Sequence, residues 1–309
     1  MSALLEVVLP VFLVIGFGYA AAKAGLFPDG AVDGVMKFAQ HFAVPCLLFT
    51  AIANIDLSSG FNAPLLLSFY VGATTGFLIG TLGAHYIFKR DWQDSIAIGF
   101  CCLFSNSLLL GLPISERAYG PESLATNYSI IAIHSPFCFC LAITAMEIVR
   151  GKGVGGRKML ASILSAMFRN ALIVGIGLGF IVNISGVTLP IVLADAIDMM
   201  VRAALPAALF GLGGVLTRYT PEGDMKTIFF VIVISLVVHP IIVLVMANIF
   251  GLSQQVIRNA VITAAMAPGV NTYIFANFYG RARRVAASSV LIGTAVSVPT
   301  IWIWLHILG

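Results

Sequence analysis

The chain has 309 residues, of which 60% are hydrophobic and 10% charged, and its formal net charge is +4. A soluble domain usually carries about 25% charged residues, so its core could not bury this much apolar surface. The basic residues are separated by apolar stretches and form no stripe, which excludes a nucleic-acid-binding surface. We therefore expect an integral membrane protein embedded in a lipid bilayer.

Ten apolar stretches follow one another along the chain, and each can cross a bilayer core, which needs about 20 residues of helix. They cover about 4–22, 32–54, 64–88, 94–117, 123–149, 162–184, 190–216, 226–250, 256–279 and 285–308. They lack the alternating pattern of barrel strands. The sequence therefore predicts an all-α integral membrane protein with ten transmembrane helices. The first stretch lacks the basic start and cleavage site of a signal peptide, so we expect it to remain as the first span.

The basic residues are distributed unevenly between the two sides of the predicted spans. Fourteen of the 17 Lys and Arg residues fall on one side, and only Arg117, Arg202 and Arg258 fall on the other. Because basic loops are retained in the cytoplasm, the odd-numbered loops are predicted to be cytoplasmic and both termini to face outward.

An internal repeat appears when the chain is shifted against itself by 161 residues. Residues 15–19 then fall on 176–180, and residues 44–49 fall on 205–210. Each repeat holds five spans, an odd number, so the second copy must cross the membrane in the opposite direction. Inverted repeats of this kind are typical of secondary transporters.

The repeat predicts three parts of the chain. Residues 1–150 form the first five-helix repeat, and residues 162–309 form the second, inverted repeat. Between them, residues 151–161 form a short basic cytoplasmic loop with no room for a soluble domain.

Polar residues interrupt the fourth span near its middle. Ser105, Asn106 and Ser107 stand in succession, and Gly111 and Pro113, which weaken a helix, follow them. A broken helix at this depth supplies unwound backbone and a half-helix N-terminus, which are the usual components of a transporter's substrate site.

The ninth span repeats this pattern at the corresponding place. Pro268 and Gly269 precede Val270, Asn271 and Thr272. An Asn amide both donates and accepts hydrogen bonds, so it can hold a carboxylate oxygen without bringing a charge into the lipid. The alternative is a pair of kinked helices whose Asn residues only join neighbouring helices.

Three ionisable residues of the spans are secondary candidates. His134 lies beside Pro136 near the middle of the fifth span, and histidine titrates near neutral pH, so it can carry a proton or contact an anion. Its alternative is a neutral ring bonded to a carbonyl freed by Pro136. His239 has fewer polar neighbours. Arg202 can attract an anion, but its position one turn after Asp198 favours an intrahelical ion pair.

The remaining side chains of the spans indicate no cofactor and no metal. All five cysteines lie in apolar stretches without zinc-site spacing. The acidic residues of the spans lie nearer their ends than their middles; they are Glu6, Asp33, Glu147, Asp195 and Asp198. Uncharged polar breaks facing positive helix ends favour a small anion over a cation, and a neutral substrate stays open.

The chain resembles the auxin efflux carrier family at three motifs. Residues 42–49 resemble the family's second-span Pro motif, residues 106–113 its fourth-span motif, and residues 264–276 its ninth-span crossover. The resemblance implies a scaffold of spans 1, 2, 6 and 7 and a transport domain of spans 3–5 and 8–10. It also implies that broken helices 4 and 9 cross, and that the transport domain moves like an elevator.

The resemblance places the substrate beside this crossover, with Pro45 facing it from the scaffold. The candidate substrate-binding residues are Pro45, Ser105, Asn106, Ser107, His134, Gly269, Val270, Asn271 and Thr272. Two departures from the plant members matter. The central loop lacks their long cytoplasmic segment, and Ser105 stands where they have a Pro, which argues against auxin itself as the substrate.

The predicted function is secondary transport of small organic anions, with malonate or a similar short dicarboxylate as the first candidate. The alternatives are a carrier for another monocarboxylate or an auxin-like acid, and a channel or sensor on the same fold. The sequence lacks the motifs of an intramembrane enzyme. The resemblance to short bacterial members predicts a bacterial inner-membrane location, and a homodimer is among the assemblies that the sequence allows.

Overall fold

The computed structural model describes residues 4–55, 62–151 and 171–309 of the chain, and these ranges are mostly helical and contain no β-strand. The first half of the chain contributes α1 (Leu4–Lys23), α2 (Asp29–Asn54), α3 (Ala63–Tyr86), α4 (Trp92–Leu103), α5 (Leu112–Tyr119) and α6 (Ala125–Arg150). The second half contributes α7 (Ala171–Ser185), α8 (Ile191–Leu216), α9 (Met225–Ile249), α10 (Gln254–Ala264), α11 (Val270–Tyr279) and α12 (Arg283–Leu308).

Seven helices of the described ranges are long and apolar enough to cross a membrane, namely α1, α2, α3, α6, α8, α9 and α12. The predicted all-helical membrane fold is confirmed at this level. The helix α7 is apolar but shorter, and the first part of the predicted sixth span lies outside the described residues, as does nearly all of the loop 151–161. The fourth and ninth predicted spans are each present as two shorter helices, α4 with α5 and α10 with α11.

The described residues fall into two compact units, each assembled from both halves of the chain. The first unit holds the start of α1 with α3 to α6 and α9 to α12. The second unit holds the rest of α1 with α2, α7 and α8.

Close backbone contact holds the second unit together. A Cβ atom added to Gly175 of α7 would lie 2.5 Å from the Pro45 carbonyl oxygen of α2, so only glycine fits at this crossing. At the end of α2, the Asn183 amide donates to three carbonyls, including that of Ile55 at 2.7 Å. These bonds satisfy carbonyls that the end of a helix leaves without partners.

Several helices contain a proline shortly after a π-turn, in which each N–H bonds to the carbonyl five residues earlier. The turn at Ile234–Val238 precedes Pro240 in α9, and the same arrangement precedes Pro45 and Pro113. A proline inside a helix leaves the carbonyl four residues earlier without a donor. For Pro240 that carbonyl belongs to Leu236, and Trp304 Nε1 donates to it at 2.9 Å.

Candidate functional site

The first unit contains a crossing of two broken helical segments. The helix α4 ends at Leu103 and α10 ends at Ala264, and non-helical residues follow each of them. Ser105 and Pro268 pair there in an antiparallel bridge. The breaks therefore lie where the sequence predicts them, and they meet.

Two backbone hydrogen bonds hold the crossing. Asn106 N–H donates to the Ala267 carbonyl at 2.8 Å, and Gly269 N–H donates to the Phe104 carbonyl at 2.9 Å. A Cβ atom at Gly269 would lie 3.1 Å from the Phe104 ring and 3.6 Å from the Asn106 Cα atom. A side chain at 269 would crowd the Phe104 ring beside the paired segments, so glycine suits this position.

The first break contains buried polar side chains, and two of their polar atoms have no hydrogen-bond partner among the described residues. Ser105, Asn106 and Ser107 are 4%, 6% and 3% exposed. Among the described residues, neither Ser105 Oγ nor Asn106 Nδ2 has a hydrogen-bond partner. A buried amide donor without a partner costs about 1–3 kcal/mol, so an unused Asn106 amide indicates a group that serves something other than the fold.

The second break supplies backbone more than side chains. Gly269 precedes α11, and the Thr272 hydroxyl donates back to the Gly269 carbonyl at 2.8 Å. Thr272 is fully buried, whereas Val270 and Asn271 are half-buried. The Thr272 hydroxyl hydrogen is therefore engaged within its own turn, and Asn271 is the polar side chain of this segment with partial exposure.

His134 of α6 contacts the first break directly. Its Nε2 atom lies 3.2 Å from the Ser105 carbonyl oxygen. A carbonyl can only accept, so Nε2 carries the hydrogen and Nδ1 faces the Cys138 sulfur at 3.7 Å. The acceptor is not a carbonyl freed by Pro136, as one reading of the sequence has it. His134 instead braces the backbone between Ser105 and Asn106.

The electrostatics of the crossing come from helix ends. A helical segment begins at Ser107 and continues into α5, and α11 begins at Val270. Within the described ranges neither start has a side-chain cap, so N–H groups at two positive helix ends remain available. No group of three His, Cys, Asp or Glu residues suited to a metal ion occurs in the described part of the chain.

Three further candidates do not belong to the two broken segments. Pro45 belongs to the second unit, where it is buried in α2. Arg202 pairs with Asp198 at 2.7 Å, which confirms the predicted intrahelical ion pair. His239 of α9 is buried with its ring edge against Phe69, and its Nε2 atom has no partner among the described residues.

Sequence reasoning misses one buried polar cluster near the crossing. Asn127 of α6 is fully buried, and its amide donates to Ser115 Oγ at 3.0 Å and to Thr263 Oγ1 at 2.8 Å. These bonds join α5, α6 and α10. Ser115 and Thr263 are 12 and 136 positions from Asn127 in the chain, so no local spacing could have indicated the cluster.

Comparison with known proteins gives one family and several relatives. The model of the family described as "Membrane transport protein" matches residues 3–305. "Auxin efflux carrier component 5" of Arabidopsis thaliana is 23% identical, covering 96% of this chain and 94% of its own. "Putative malonate transporter" of Rhizobium meliloti is 23% identical over 97% of this chain and 94% of its own. "Lysosomal cholesterol signaling protein" of Mus musculus is 24% identical over 98% of this chain and 37% of its own.

Proposed function

The chain belongs to the membrane transport protein family, and from that premise we propose that it is a secondary transporter of small organic anions. The family match and the relatives confirm the resemblance to auxin efflux carriers. The family is one of membrane transport proteins, so the chain is a multi-pass transport protein and not an enzyme.

The observation that carries the proposal is the Asn106 amide, which is buried at the crossing without a partner in the described structure. It stands one residue before a helical segment whose start has no side-chain cap among the described residues. A carboxylate oxygen would accept from both the amide and the helix-end N–H groups, and it would satisfy the positive end of the helix dipole.

Short dicarboxylates such as malonate are the proposed substrates. Two uncapped helix starts at one crossing offer two sets of donors, one for each carboxylate. In this arrangement Asn106, with Ser105 and Ser107 beside it, holds one carboxylate, and the turn from Gly269 to Asn271 holds the other. The name of the Rhizobium meliloti relative agrees with this substrate class.

The proposed architecture has ten spans in two inverted repeats, with the outward termini and cytoplasmic basic loops of a bacterial inner-membrane protein. The first unit is the transport domain and the second unit is the scaffold. Alternating access then arises when the first unit moves along the second in an elevator-like step. The helices that make up each unit support this assignment, because each unit combines helices from both halves of the chain.

The test is uptake of radiolabelled malonate into proteoliposomes by wild type and Asn106→Ala. Charge-assisted hydrogen bonds contribute about 1.5–3 kcal/mol, so the variant should lose about 10- to 100-fold in apparent affinity. Asn277→Ala, which changes an exposed Asn of α11, is the matched control and should transport normally. Unchanged malonate uptake by Asn106→Ala would remove this residue from the site.

Two other functions follow from the names of relatives. The Arabidopsis thaliana relative favours a carrier for an auxin-like monocarboxylate, and the Mus musculus relative favours a sensor on the same fold. Liposomes preloaded with unlabelled malonate or with indole-3-acetate distinguish these functions from dicarboxylate transport. A dicarboxylate carrier accelerates malonate entry by counterflow from internal malonate alone, whereas a sensor binds its ligand without counterflow.

A further inference from the structure

A basic cavity lies at one end of the first unit, away from the crossing. It has a volume of about 550 Å³ and is open on one side, and it lies where α9 and α12 begin and α11 ends. Its lining is Arg90, Gly223, Asp224, Gly280, Ala282, Arg283, Arg284 and Val285. Because α9 and α12 are long enough to cross a membrane, their first residues stand near the level of the lipid headgroups.

The cavity carries more positive charge than its acidic neighbours neutralise. Arg90 approaches Asp224 at 3.4 Å, but its Nε atom is buried and has no partner in the described ranges. Arg284 has only a long contact of 3.8 Å with Glu222. Arg283 forms no ion pair with any described residue. The lining therefore contains three arginines and one carboxylate.

The Asp224 carboxylate already accepts hydrogen bonds at the start of its own helix. Asp224 accepts from the Thr227 hydroxyl at 2.7 Å and from Lys226 N–H at 3.1 Å, at the start of α9. The Thr227 hydroxyl, the backbone N–H groups of Lys226 and Thr227 and the Arg90 charge together lower the pKa of Asp224. The aspartate is thus a helix cap, and among the described residues it forms no ion pair with Arg283 or Arg284.

Hydrogen bonds between a serine hydroxyl and the backbone fix two of the segments that line the cavity. Ser288 of α12 donates to the Glu222 carbonyl at 2.6 Å and accepts from Glu222 N–H at 3.0 Å, which fixes the segment before α9 against α12. The residue before α12 is Ala282, which has no side chain that could cap the helix. The first N–H groups of a 26-residue helix consequently open onto the same cavity as the arginines.

We propose that this cavity binds a phosphate group, with Arg283, Arg284 and Arg90 as its cationic ligands and the start of α12 as its backbone donor. Arginine matches phosphate oxygens in a two-pronged geometry, and basic pockets at the ends of transmembrane helices suit anionic lipid headgroups. The phosphate belongs either to an anionic phospholipid or to a free phosphate ion. The site is independent of the proposed malonate site.

The experiment measures thermal unfolding of the purified full-length chain in detergent. The probes are short-chain phosphatidylglycerol, short-chain phosphatidylcholine and inorganic phosphate, with chloride at equal ionic strength as the blank. Wild type should be stabilised more by phosphatidylglycerol than by phosphatidylcholine. The double variant Arg283→Gln/Arg284→Gln should need about 10-fold more of the probe for the same shift. Arg202→Gln, which removes an exposed arginine of the second unit, should behave as wild type.

The results distinguish a phospholipid headgroup from a free phosphate ion as the source of the phosphate group. Stabilisation by phosphatidylglycerol alone supports a lipid headgroup, and stabilisation by inorganic phosphate supports a free ion. If wild type responds to neither probe beyond phosphatidylcholine and chloride, the proposal is overturned even when the double variant fails to fold. It is equally overturned if the double variant folds and keeps the full response.

Discussion

The two breaks at the crossing differ in what they contribute. The first break presents buried side chains, and in the described structure the Asn106 amide and the Ser105 hydroxyl have no partners there. The second break runs through Ala267, Pro268 and Gly269, whose contribution is backbone shape and close approach. Under the proposed function, the first break contributes mainly side-chain ligands, and the second contributes backbone shape and backbone donors.

This difference predicts which property each substitution changes. A change in the first break should weaken substrate binding and leave the fold intact, because the affected groups are unused by the fold. A change in the second break should lower stability and transport together.

Gly269→Ala is expected to have the largest effect on stability. The added methyl group would lie 3.1 Å from the Phe104 ring, which would have to shift, and overpacking of this kind costs about 1–3 kcal/mol. Thermal unfolding in detergent measures the loss, and malonate uptake should fall with it. Gly16→Ala is the matched control, because a Cβ atom there meets nothing within 4 Å. A Gly269→Ala protein as stable as that control would refute the geometric role of the second break.

His134→Phe should have an intermediate effect. It keeps an aromatic ring between Phe69 and Phe104 but removes the Nε2–H donor to the Ser105 carbonyl. That carbonyl also accepts from Ser107 N–H at 2.8 Å, so it keeps one bond, and we expect a loss of about 1 kcal/mol in the free energy of malonate binding. We expect a raised KM for malonate with little change in melting temperature, while exposed His41→Phe changes neither. An unaltered KM would show that His134 does not brace the first break.

Thr272→Val should have the smallest effect. The substitution removes the hydroxyl bond to the Gly269 carbonyl, which still accepts from Thr272 N–H at 2.9 Å. The expected cost is about 0.5 kcal/mol in stability, without a change in malonate affinity. Thr300→Val, whose hydroxyl also bonds within its own helix, is the control. A large loss of malonate affinity on Thr272→Val would instead make this hydroxyl a substrate ligand.

Local patterns of the sequence predict much of this structure. Helix bounds follow from apolar length, and the ion pair between Asp198 and Arg202 follows from their spacing of four. One local inference is wrong. Gly111 and Pro113 are expected to weaken the helix after the polar residues, but the break does not reach them. A π-turn covers Ser107–Gly111 and continues directly into α5, so both residues lie inside one helical segment.

Contacts between distant residues could not be predicted in the same way. The bond from His134 to the Ser105 carbonyl joins residues 29 positions apart, and the bond from Asn127 to Thr263 joins residues 136 apart. Each depends on how whole helices pack, which no spacing in the chain reveals. For the same reason the sequence treats Asn106 and Asn271 alike, and only the structure separates the buried, unpartnered amide from the half-buried one.

Equilibrium binding of malonate to purified wild type, Asn106→Ala and Asn271→Ala tests the division of tasks most directly. With the fold of each variant checked by its melting temperature, Asn106→Ala should lose about 10- to 100-fold in Kd. Asn271→Ala should lose less, because the second break contributes mainly backbone donors. Equal losses, or a larger loss for Asn271→Ala, would contradict the assignment of ligand contact to the first break.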